Sequence, residues 1–209
     1  MREPLARNTT EEAFLDAAEC LLIEIGYAKI TTRRLGEEAG ANHGLIHYYF
    51  GSMEQLFVRV LERYTERLIE RQRAMYAAPV PFIEKWRAAM RYLVEDRKSG
   101  YQKIWYELQA LAWNKPDLRA RLVPVRRQWF DVLSEAFTKA AEEYGIDTER
   151  FPGQALATLV GTFNEGIILE QLGGIDDGHA ELLAMIDGWL ASLEAAKARR
   201  EASNESTVS

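Results

Sequence analysis

The apolar residues of this chain recur at the three- and four-residue spacing of amphipathic helices. The first such run begins at a capping-box pattern, Thr9 with Glu12, and stops at Gly26. A second capping-box spacing, Ser52 with Gln55, opens a long helix. No segment shows the alternation of polar and apolar residues that a half-buried β-strand requires. The pattern therefore predicts an all-α protein.

Glycine and proline divide the remainder of the chain into five further helical segments. They are predicted at residues 82–98, 101–114, 117–144, 152–173 and 178–200. Pro124 either kinks the third of these segments or marks the start of its main part. At the ends of the chain, residues 1–8 are predicted to form a flexible arm. Residues 201–209 have almost no apolar content and are predicted to be disordered.

The stretch between the first helix and the long helix is typical of two short helices joined by a tight turn. Thr31 is a suitable N-cap for a helix that ends near Ala39. Gly40 suits the left-handed conformation that closes a helix, and Asn42 can cap the helix that follows. This arrangement predicts a helix-turn-helix, in which the second helix enters the major groove of DNA.

Within the second short helix, Ile46 and Phe50 are four residues apart and are predicted to face the core. The positions that point outward are then His43, Gly44, His47 and Tyr48. Two adjacent tyrosines cannot both share the face of Phe50, so at least one of them is predicted to lie at the surface with its hydroxyl accessible. The outward positions are the candidates for DNA contact.

Residues 10–57 resemble the N-terminal signature of TetR-family transcriptional regulators. The resemblance rests on Thr31-Thr32-Arg33, Ala39-Gly40, Gly44-Leu45-Ile46, Tyr48-Tyr49-Phe50, Ser52 and Leu56. It implies an N-terminal three-helix DNA-binding domain at 9–57, followed by a larger helical domain at 58–200 for ligand binding and dimerisation. The expected function is a ligand-responsive regulator of transcription, most simply a repressor.

The same resemblance implies a role for individual side chains. Contacts with the phosphate backbone are implied for Thr32, Tyr48 and Tyr49, and contacts with base edges for Arg33, Asn42, His43 and His47. Gly44 allows the helix to come close to DNA, and Leu45 can touch a thymine methyl. Met53 stands where many family members have a lysine that anchors a phosphate. One ionic contact is therefore missing from this chain.

The charge of the N-terminal region is unusual for a DNA-binding domain. The whole chain has a net charge of −6, and residues 1–55 hold five basic and nine acidic side chains, which gives −4. A DNA-binding domain ordinarily carries a basic face. Here Arg33 and Arg34 supply local positive charge, and helix N-termini can also face phosphates. DNA binding is expected to depend only weakly on salt.

The larger domain is rich in aromatic residues, most of which are predicted to fill its core. A few of them are expected to line an apolar cavity for a small, largely apolar effector. The candidates for this site are Trp105, Leu108, Gln109, Trp113, Trp129, Phe130, Phe163 and Asn164. The last two helices carry apolar stripes that pack either within a monomer or between two. The resemblance implies that they join two copies into a homodimer.

Other classes of protein are less consistent with the residues. His43 and His47 have metal-ligand spacing, but no third ligand completes a site, so no metal and no cofactor are expected. Catalytic motifs are absent, which argues against an enzyme. No signal peptide or membrane span is present in the sequence, so the protein is expected in the cytoplasm. A non-catalytic ligand carrier or a protein-interaction module remains the alternative.

Overall fold

The computed structural model describes residues 5–97 and 99–208, and within these ranges it contains helices and no strand. The helices are α1 (Leu5–Glu24), α2 (Thr32–Ala39), α3 (Leu45–Phe50), α4 (Met53–Ala77), α5 (Phe82–Arg97), α6 (Tyr101–Ala112), α7 (Pro116–Tyr144), α8 (Gly153–Leu172) and α9 (His179–Val208), with a short 3-10 helix at Tyr27–Lys29. The predicted all-α class is confirmed.

Both ends of the described chain are more helical than predicted. α1 begins at Leu5, before the capping box, because Leu5, Ala6 and Arg7 all have high helix propensity. The predicted arm at 1–8 is therefore helical from Leu5, and its first four residues lie outside the described residues. α9 continues through the predicted disordered tail as far as Val208. No glycine or proline follows Gly188, so nothing in the sequence stops this helix.

Pro124 does not begin a helix, because α7 runs continuously from Pro116 through it. Pro116 occupies the first position of this helix, where a proline costs no hydrogen bond. Of the two alternatives for Pro124, the start of the main part is therefore wrong, and the kink stays a prediction. α7 is consequently 29 residues long.

The chain forms two compact units, and each is made from two separate stretches of sequence. The head unit contains the residues up to Leu68 together with Leu93–Arg127, and the bundle unit contains Ile69–Tyr92 together with the residues from Gln128 onward. The predicted boundary at 57/58 therefore differs from the structure. A boundary predicted from the order of segments in the sequence cannot show that a later segment, here Leu93–Arg127, packs with the first one.

The core of the head unit explains why α6 belongs to it. Ile104, Trp105 and Leu108 of α6 are buried in one cluster with apolar residues of α1 to α4, among them Phe14 and Phe57. This cluster holds the two short helices in place, because Leu35 of α2 and Ile46 of α3 are completely buried within it. The second core, in the bundle unit, is built from α5, α7, α8 and α9.

Ion pairs join α1 to α4 within the head unit. Arg63 lies 2.8 Å from Asp16 and 2.8 Å from Glu19, and Arg67 lies 2.7 Å from Glu19. Each of these pairs links the two helices across their surface rather than along one helix. The positive charge of Arg63 and Arg67 is therefore engaged by carboxylates of α1.

Two further findings concern the described residues only. No helix among residues 5–97 and 99–208 has both the length and the apolar content that a bilayer crossing requires. In the same part of the chain, no group of three or more His, Cys, Asp or Glu side chains is placed to hold a metal ion.

Candidate functional site

The turn between α2 and α3 has the geometry of a helix-turn-helix. Thr31 caps α2, because its hydroxyl accepts a hydrogen bond from the backbone N–H of Arg34 at 3.2 Å. Gly40 ends α2 in the left-handed conformation, with φ at 61°. The N–H of Ala41 then donates to the carbonyl of Gly36 at 3.0 Å. The predicted cap at Thr31 and the predicted stop at Gly40 are both confirmed.

Asn42 organises the start of α3. Its side-chain oxygen accepts a hydrogen bond from the N–H of Gly44 at 2.9 Å, and its carbonyl accepts from the N–H of Leu45 at 3.0 Å. The regular helix begins at Leu45, and its N-cap is Gly44, which makes no side-chain cap. The prediction that Asn42 caps this helix is therefore wrong, because its side chain closes the turn before the helix instead. Because the oxygen of the Asn42 amide is used in this turn, its NH₂ group is directed to other acceptors.

Gly36 is the point of closest contact between α2 and the start of α3. A Cβ atom at this position would lie 2.8 Å from the Cβ of His43 and 2.9 Å from the carbonyl oxygen of Ala41. Both distances are too short for any side chain, so α3 can reach its place only because residue 36 is glycine. No sequence pattern marks Gly36, since a glycine inside a short helix has no periodic signal.

We predict that Gly36→Ala destabilises the head unit by about 1–3 kcal/mol, because its methyl group would push α2 away from α3.

Gly44→Ala is the matched control. Its new methyl would meet only the flexible Asn42 side chain, at 3.3 Å. We expect Gly44→Ala to keep the stability within about 0.5 kcal/mol, yet to weaken DNA binding by obstructing close approach. Thermal unfolding and DNA titration of both variants test this pair, and equal stability would contradict it.

α3 presents a continuous accessible face opposite its buried side. Ile46 and Phe50 are buried, as predicted. The exposed positions of this segment are Asn42, His43, Gly44, Leu45, His47 and Tyr48. Tyr48 is the largest exposed ring of the segment, with 63% of its surface exposed. The structure thus brings six of the nine predicted DNA-contact residues together on one surface of a single short segment.

The remaining predicted contact residues lie beside this face. Tyr49 is half-buried, and its ring packs edge-on against Tyr48, with ring centres 5.1 Å apart. Thr32 is half-buried at the start of α2, and Arg33 beside it is exposed. The prediction that one of the two tyrosines is at the surface is confirmed. The packing of Tyr49 helps to position the ring of Tyr48.

A hydrogen bond orients the ring of His47. Its Nδ1 lies 3.0 Å from the carbonyl oxygen of Gly51, which can only accept. Nδ1 therefore carries a proton in this geometry, and in the neutral ring Nε2 is left as an acceptor. The side chain of His47, which bears Nε2, is exposed. His47 can thus accept a hydrogen bond when neutral and donate one when protonated.

Glu37 forms ion pairs with both arginines of α2. Its carboxylate lies 3.1 Å from Nε of Arg33 and 3.9 Å from Arg34. All three side chains are at least half exposed, so these ion pairs are weak and can be exchanged for other partners. Glu37 was not among the predicted site residues, although its four-residue spacing from Arg33 is the signal that could have identified it.

The eight residues predicted to line a ligand cavity are divided between the two units. Trp105 and Leu108 are core residues of the head unit, and Gln109 is half-buried there. Trp113, which follows α6, is 75% exposed. The other four candidates belong to the bundle unit. The prediction grouped these residues by their largely aromatic character, which does not reveal which core each one enters.

The other four candidates lie in the bundle unit but play different parts. Trp129 and Phe130 are half-buried against its core. Phe130 also fills the space beside Gly161, where a Cβ atom would be 2.8 Å from its ring. Asn164 is buried, and its side-chain oxygen has no hydrogen-bond partner. Phe163 lines a cavity.

This cavity, of about 210 Å³, is formed by α5, α7, α8 and α9. Its walls are apolar or aromatic side chains: Phe82, Trp86, Phe137, Ala140, Ala141, Tyr144, Ile146, Leu156, Leu159, Val160, Phe163, Ile186, Trp189, Leu190 and Leu193. The hydroxyl of Tyr144 accepts a hydrogen bond from the N–H of Ile83 at 3.2 Å and is hydrogen-bonded to Glu194. Burial, reinforced by Glu194, raises the pKa of Tyr144, so this hydroxyl stays neutral.

α8 and α9 also carry an uncharged face that is exposed in the single chain. On α8 the exposed positions include Leu159, Thr162, Gly166 and Leu169, and on α9 they include Met185, Gly188, Trp189, Ser192 and Ala195. Leu159, Leu169, Met185 and Trp189 are each more than half exposed. No neighbouring atom lies within 4 Å of a Cβ built at Gly166 or Gly188. Exposed apolar surface of this kind is typical of an interface between proteins.

Comparison with known proteins identifies the family that the N-terminal part matches. Residues 14–60 match the family model described as bacterial regulatory proteins, tetR family. The matched range contains α2, the turn, α3 and the start of α4. It thus includes every residue predicted to contact DNA.

Relatives and solved structures extend the similarity over most of the chain. The HTH-type transcriptional regulator YfiR of Bacillus subtilis is 25% identical over 177 residues, which are 79% of this chain and 82% of that protein. The HTH-type transcriptional repressor AcnR of Corynebacterium glutamicum is 24% identical over 183 residues, 87% of this chain and 92% of that protein. A crystal structure of a TetR-family transcriptional regulator from Rhodococcus sp. superposes with a TM-score of 0.67 at 21% identity, covering 86% of this chain and 97% of that one. The last comparison shows a shared fold.

Proposed function

Because the chain belongs to the TetR family of bacterial regulatory proteins and is a DNA-binding regulator of transcription, we propose that it represses transcription as a homodimer and is released from its operator by a small, largely apolar effector. It acts in the cytoplasm, where operator DNA is accessible. The observation that most strongly supports this proposal is the accessible face of α3. Buried Ile46 and Phe50 and the turn closed by Asn42 fix α3 in position.

Each side chain of this face has a role that its chemistry suits. Tyr48, Tyr49 and Thr32 donate hydroxyl hydrogen bonds to phosphates, which fix the position of the helix. Base edges are read by Arg33, Asn42, His43 and His47. Asn42 does this with its NH₂ group, since its oxygen caps the turn. Gly44 permits close approach, and the exposed Leu45 contacts a thymine methyl.

The dimer forms through the exposed uncharged face of α8 and α9. Exposed leucine, methionine and tryptophan side chains on this face favour its burial, and Gly166 and Gly188 allow the helices to approach closely. A twofold axis presents two copies of α3 to successive major grooves, about 34 Å apart or a multiple of that distance. The operator is therefore a pseudo-palindrome.

The effector acts by its preference for one arrangement of the dimer. A ligand shifts an equilibrium only as far as its affinities for the two arrangements differ. A coupling of about 1–3 kcal/mol is typical, which lowers the affinity for DNA by roughly 5- to 150-fold. The similarity to the repressor AcnR supports repression rather than activation.

A test of the proposal is selection of bound fragments from a pool of random DNA. We expect the purified protein to enrich an inverted repeat whose half-site centres are separated by whole helical turns, about 10–10.5 base pairs each. Enrichment of a single unrepeated site would contradict the dimer, and failure to enrich any sequence would contradict the regulator.

We predict that Glu37→Gln strengthens operator binding by about 3- to 5-fold, since surface ion pairs such as those with Arg33 and Arg34 are worth at most about 1 kcal/mol. Arg34 is released for a phosphate and Arg33 for a base edge, so the dependence of log Kd on log salt should steepen by about one for each additional phosphate contact. Glu38→Gln is the control, because it removes the same charge from the next exposed residue. Equal effects of the two variants would show that only net charge matters.

A further inference from the structure

We propose that the head unit has a second DNA-binding surface at the turn between α6 and α7, and that its side chains hold phosphates of the duplex that flanks the half-site read by α3. Residues 113–119, which are this turn and the first turn of α7, form what we call the flank surface. The inference rests on the proposed function, because it assumes that α3 reads the operator.

The later segment of the head unit supplies the net positive charge of that unit. Residues 1–68 hold eight basic and eleven acidic side chains, a net charge of −3. Residues 93–127 hold eight basic and four acidic side chains, a net charge of +4. Phosphates attract the part of a protein that is positively charged. In this unit that part is the segment that contains the flank surface, and not the helix-turn-helix.

An ion pair places the flank surface beside the start of α4. Nζ of Lys115 lies 2.6 Å from a carboxylate oxygen of Glu54, the second residue of α4. Glu54 is only four residues beyond Phe50, where α3 ends. Leu118, at the start of α7, is buried in the same core as Ile46 of α3. The flank surface and α3 are thus packed in one unit, and a duplex bound by α3 passes close to this turn.

The exposed side chains of the flank surface include three donors of hydrogen bonds. Trp113 is 75% exposed, and Asn114 and Arg119 are exposed as well. Within residues 5–97 and 99–208, none of these three side chains has a hydrogen-bond or ion-pair partner. Indole and guanidinium groups donate hydrogen bonds and do not accept them. Phosphate oxygens are acceptors, so the donors of this turn match a phosphate backbone.

The polarity of the flank surface favours DNA over a protein partner. An exposed tryptophan is also typical of protein interfaces, but the centre of such an interface is depleted of charged residues. Here the other exposed residues around the ring are polar, charged or proline: Asn114, Lys115, Pro116, Asp117 and Arg119. Asp117 is the single acidic side chain of residues 113–119, and it lies in the first turn of α7, where the helix dipole stabilises it.

The test compares two duplexes that contain the inverted repeat enriched from random DNA. One duplex ends with the repeat, and the other continues by about one helical turn, roughly 10 base pairs, at each end. Fluorescence titration of the full chain should show about tenfold tighter binding to the extended duplex, with a dependence of log Kd on log salt that is steeper by about two, because each protomer adds one phosphate contact. Hydroxyl-radical footprinting should show protection of the backbone beyond the repeat.

Variants identify the side chains that produce this gain. Arg119→Gln should reduce the gain to less than about threefold and change the affinity for the short duplex by no more than about twofold. Asp117→Asn should increase the gain by about 2- to 3-fold, because it removes the charge that repels phosphates. Trp113→Phe keeps the aromatic ring but removes its N–H, so part of the gain should be lost. These side chains are exposed, so thermal unfolding should be unchanged.

Arg127→Gln is the matched control for Arg119→Gln. Arg127 is exposed on the same helix and, like Arg119, has no ion-pair partner in the described part of the chain. It lies eight residues further along α7, about 12 Å from Arg119 along the helix axis. The gain should therefore be unchanged in this variant. The same loss of gain in both variants would overturn the inference, since only net charge would then matter.

Other results would also overturn the inference. They are equal affinity for the two duplexes, a footprint that ends with the repeat, or a gain that persists in Arg119→Gln. If Arg119→Gln weakens binding to both duplexes alike, the turn contacts protein rather than flanking DNA. Sequence-selective binding that is equal for the two duplexes refutes only this inference, whereas the absence of selective binding to either duplex refutes the proposed function.

Discussion

Replacement of both His47 and Tyr48 by alanine is expected to weaken operator binding by about 2–4 kcal/mol, or roughly 30- to 1,000-fold in Kd. His47 presents a ring edge oriented by its hydrogen bond to Gly51, and the ring of Tyr48 is 63% exposed. Neither side chain is buried, so the free energy of unfolding should change by no more than about 0.5 kcal/mol.

The controls for this variant separate recognition from folding. Tyr48→Phe removes only a hydroxyl that donates to a phosphate, so it should weaken binding to all DNA sequences alike. His47→Ala removes a contact to a base and should reduce selectivity between operator and random DNA. Fluorescence titration with labelled operator and with labelled random DNA measures both the affinity and the selectivity. Unchanged operator binding by the folded double variant would contradict the role assigned to α3.

Introduction of a charge into the proposed dimer face, the exposed uncharged face of α8 and α9, is expected to have an effect of similar size. Met185 is 66% exposed and lies on the uncharged face of α9. Met185→Asp would bring two carboxylates into the interface without partners, at a cost of several kcal/mol. We expect the dimer to dissociate, and operator affinity to fall by roughly 10²–10⁴-fold, because each protomer then binds its half-site alone.

Ala198→Asp is the matched control for the dimer variant, since it adds the same charge at an exposed position on another side of α9. Sedimentation gives the state of association, and DNA titration gives the affinity. A dimer that withstands Met185→Asp would show that the protomers associate through another surface.

Residue types and spacing were sufficient to predict the ends of α2 and the buried side of α3. Ile46 and Phe50 are buried as their four-residue spacing indicated, and Thr31 and Gly40 cap α2 as their types indicated. These features involve residues only a few positions apart. The cluster that holds the two helices in place also includes Ile104, Trp105 and Leu108 of α6, and no spacing along the sequence predicts that contact.

The cavity of the bundle unit could not be predicted in the same way, because its location depends on how distant helices pack. Trp105 and Phe163 are similar as aromatic residues, yet Trp105 fills the core of the head unit and Phe163 lines the cavity of the bundle unit. Trp113, a third aromatic candidate, is at the surface. Periodicity places each residue on one face of its helix, but it does not identify the helix that covers that face.

The acidic balance of residues 1–55 has a physical explanation that counting charges did not provide. Carboxylates of α1 pair with Arg63 and Arg67 of α4, which lie beyond this segment, and Glu37 pairs with Arg33 and Arg34. Part of the acidic charge of the segment is thus neutralised by basic side chains of the same unit.

The most direct test of the central claim is the binding of the purified protein to labelled DNA from upstream of its own gene, with random DNA as competitor, at several salt concentrations. We predict binding at least 10³-fold tighter to one fragment than to random DNA, as is typical of specific regulators, with a shallow dependence on salt. Equal affinity for every sequence, across fragments that cover the whole upstream region, would contradict the account.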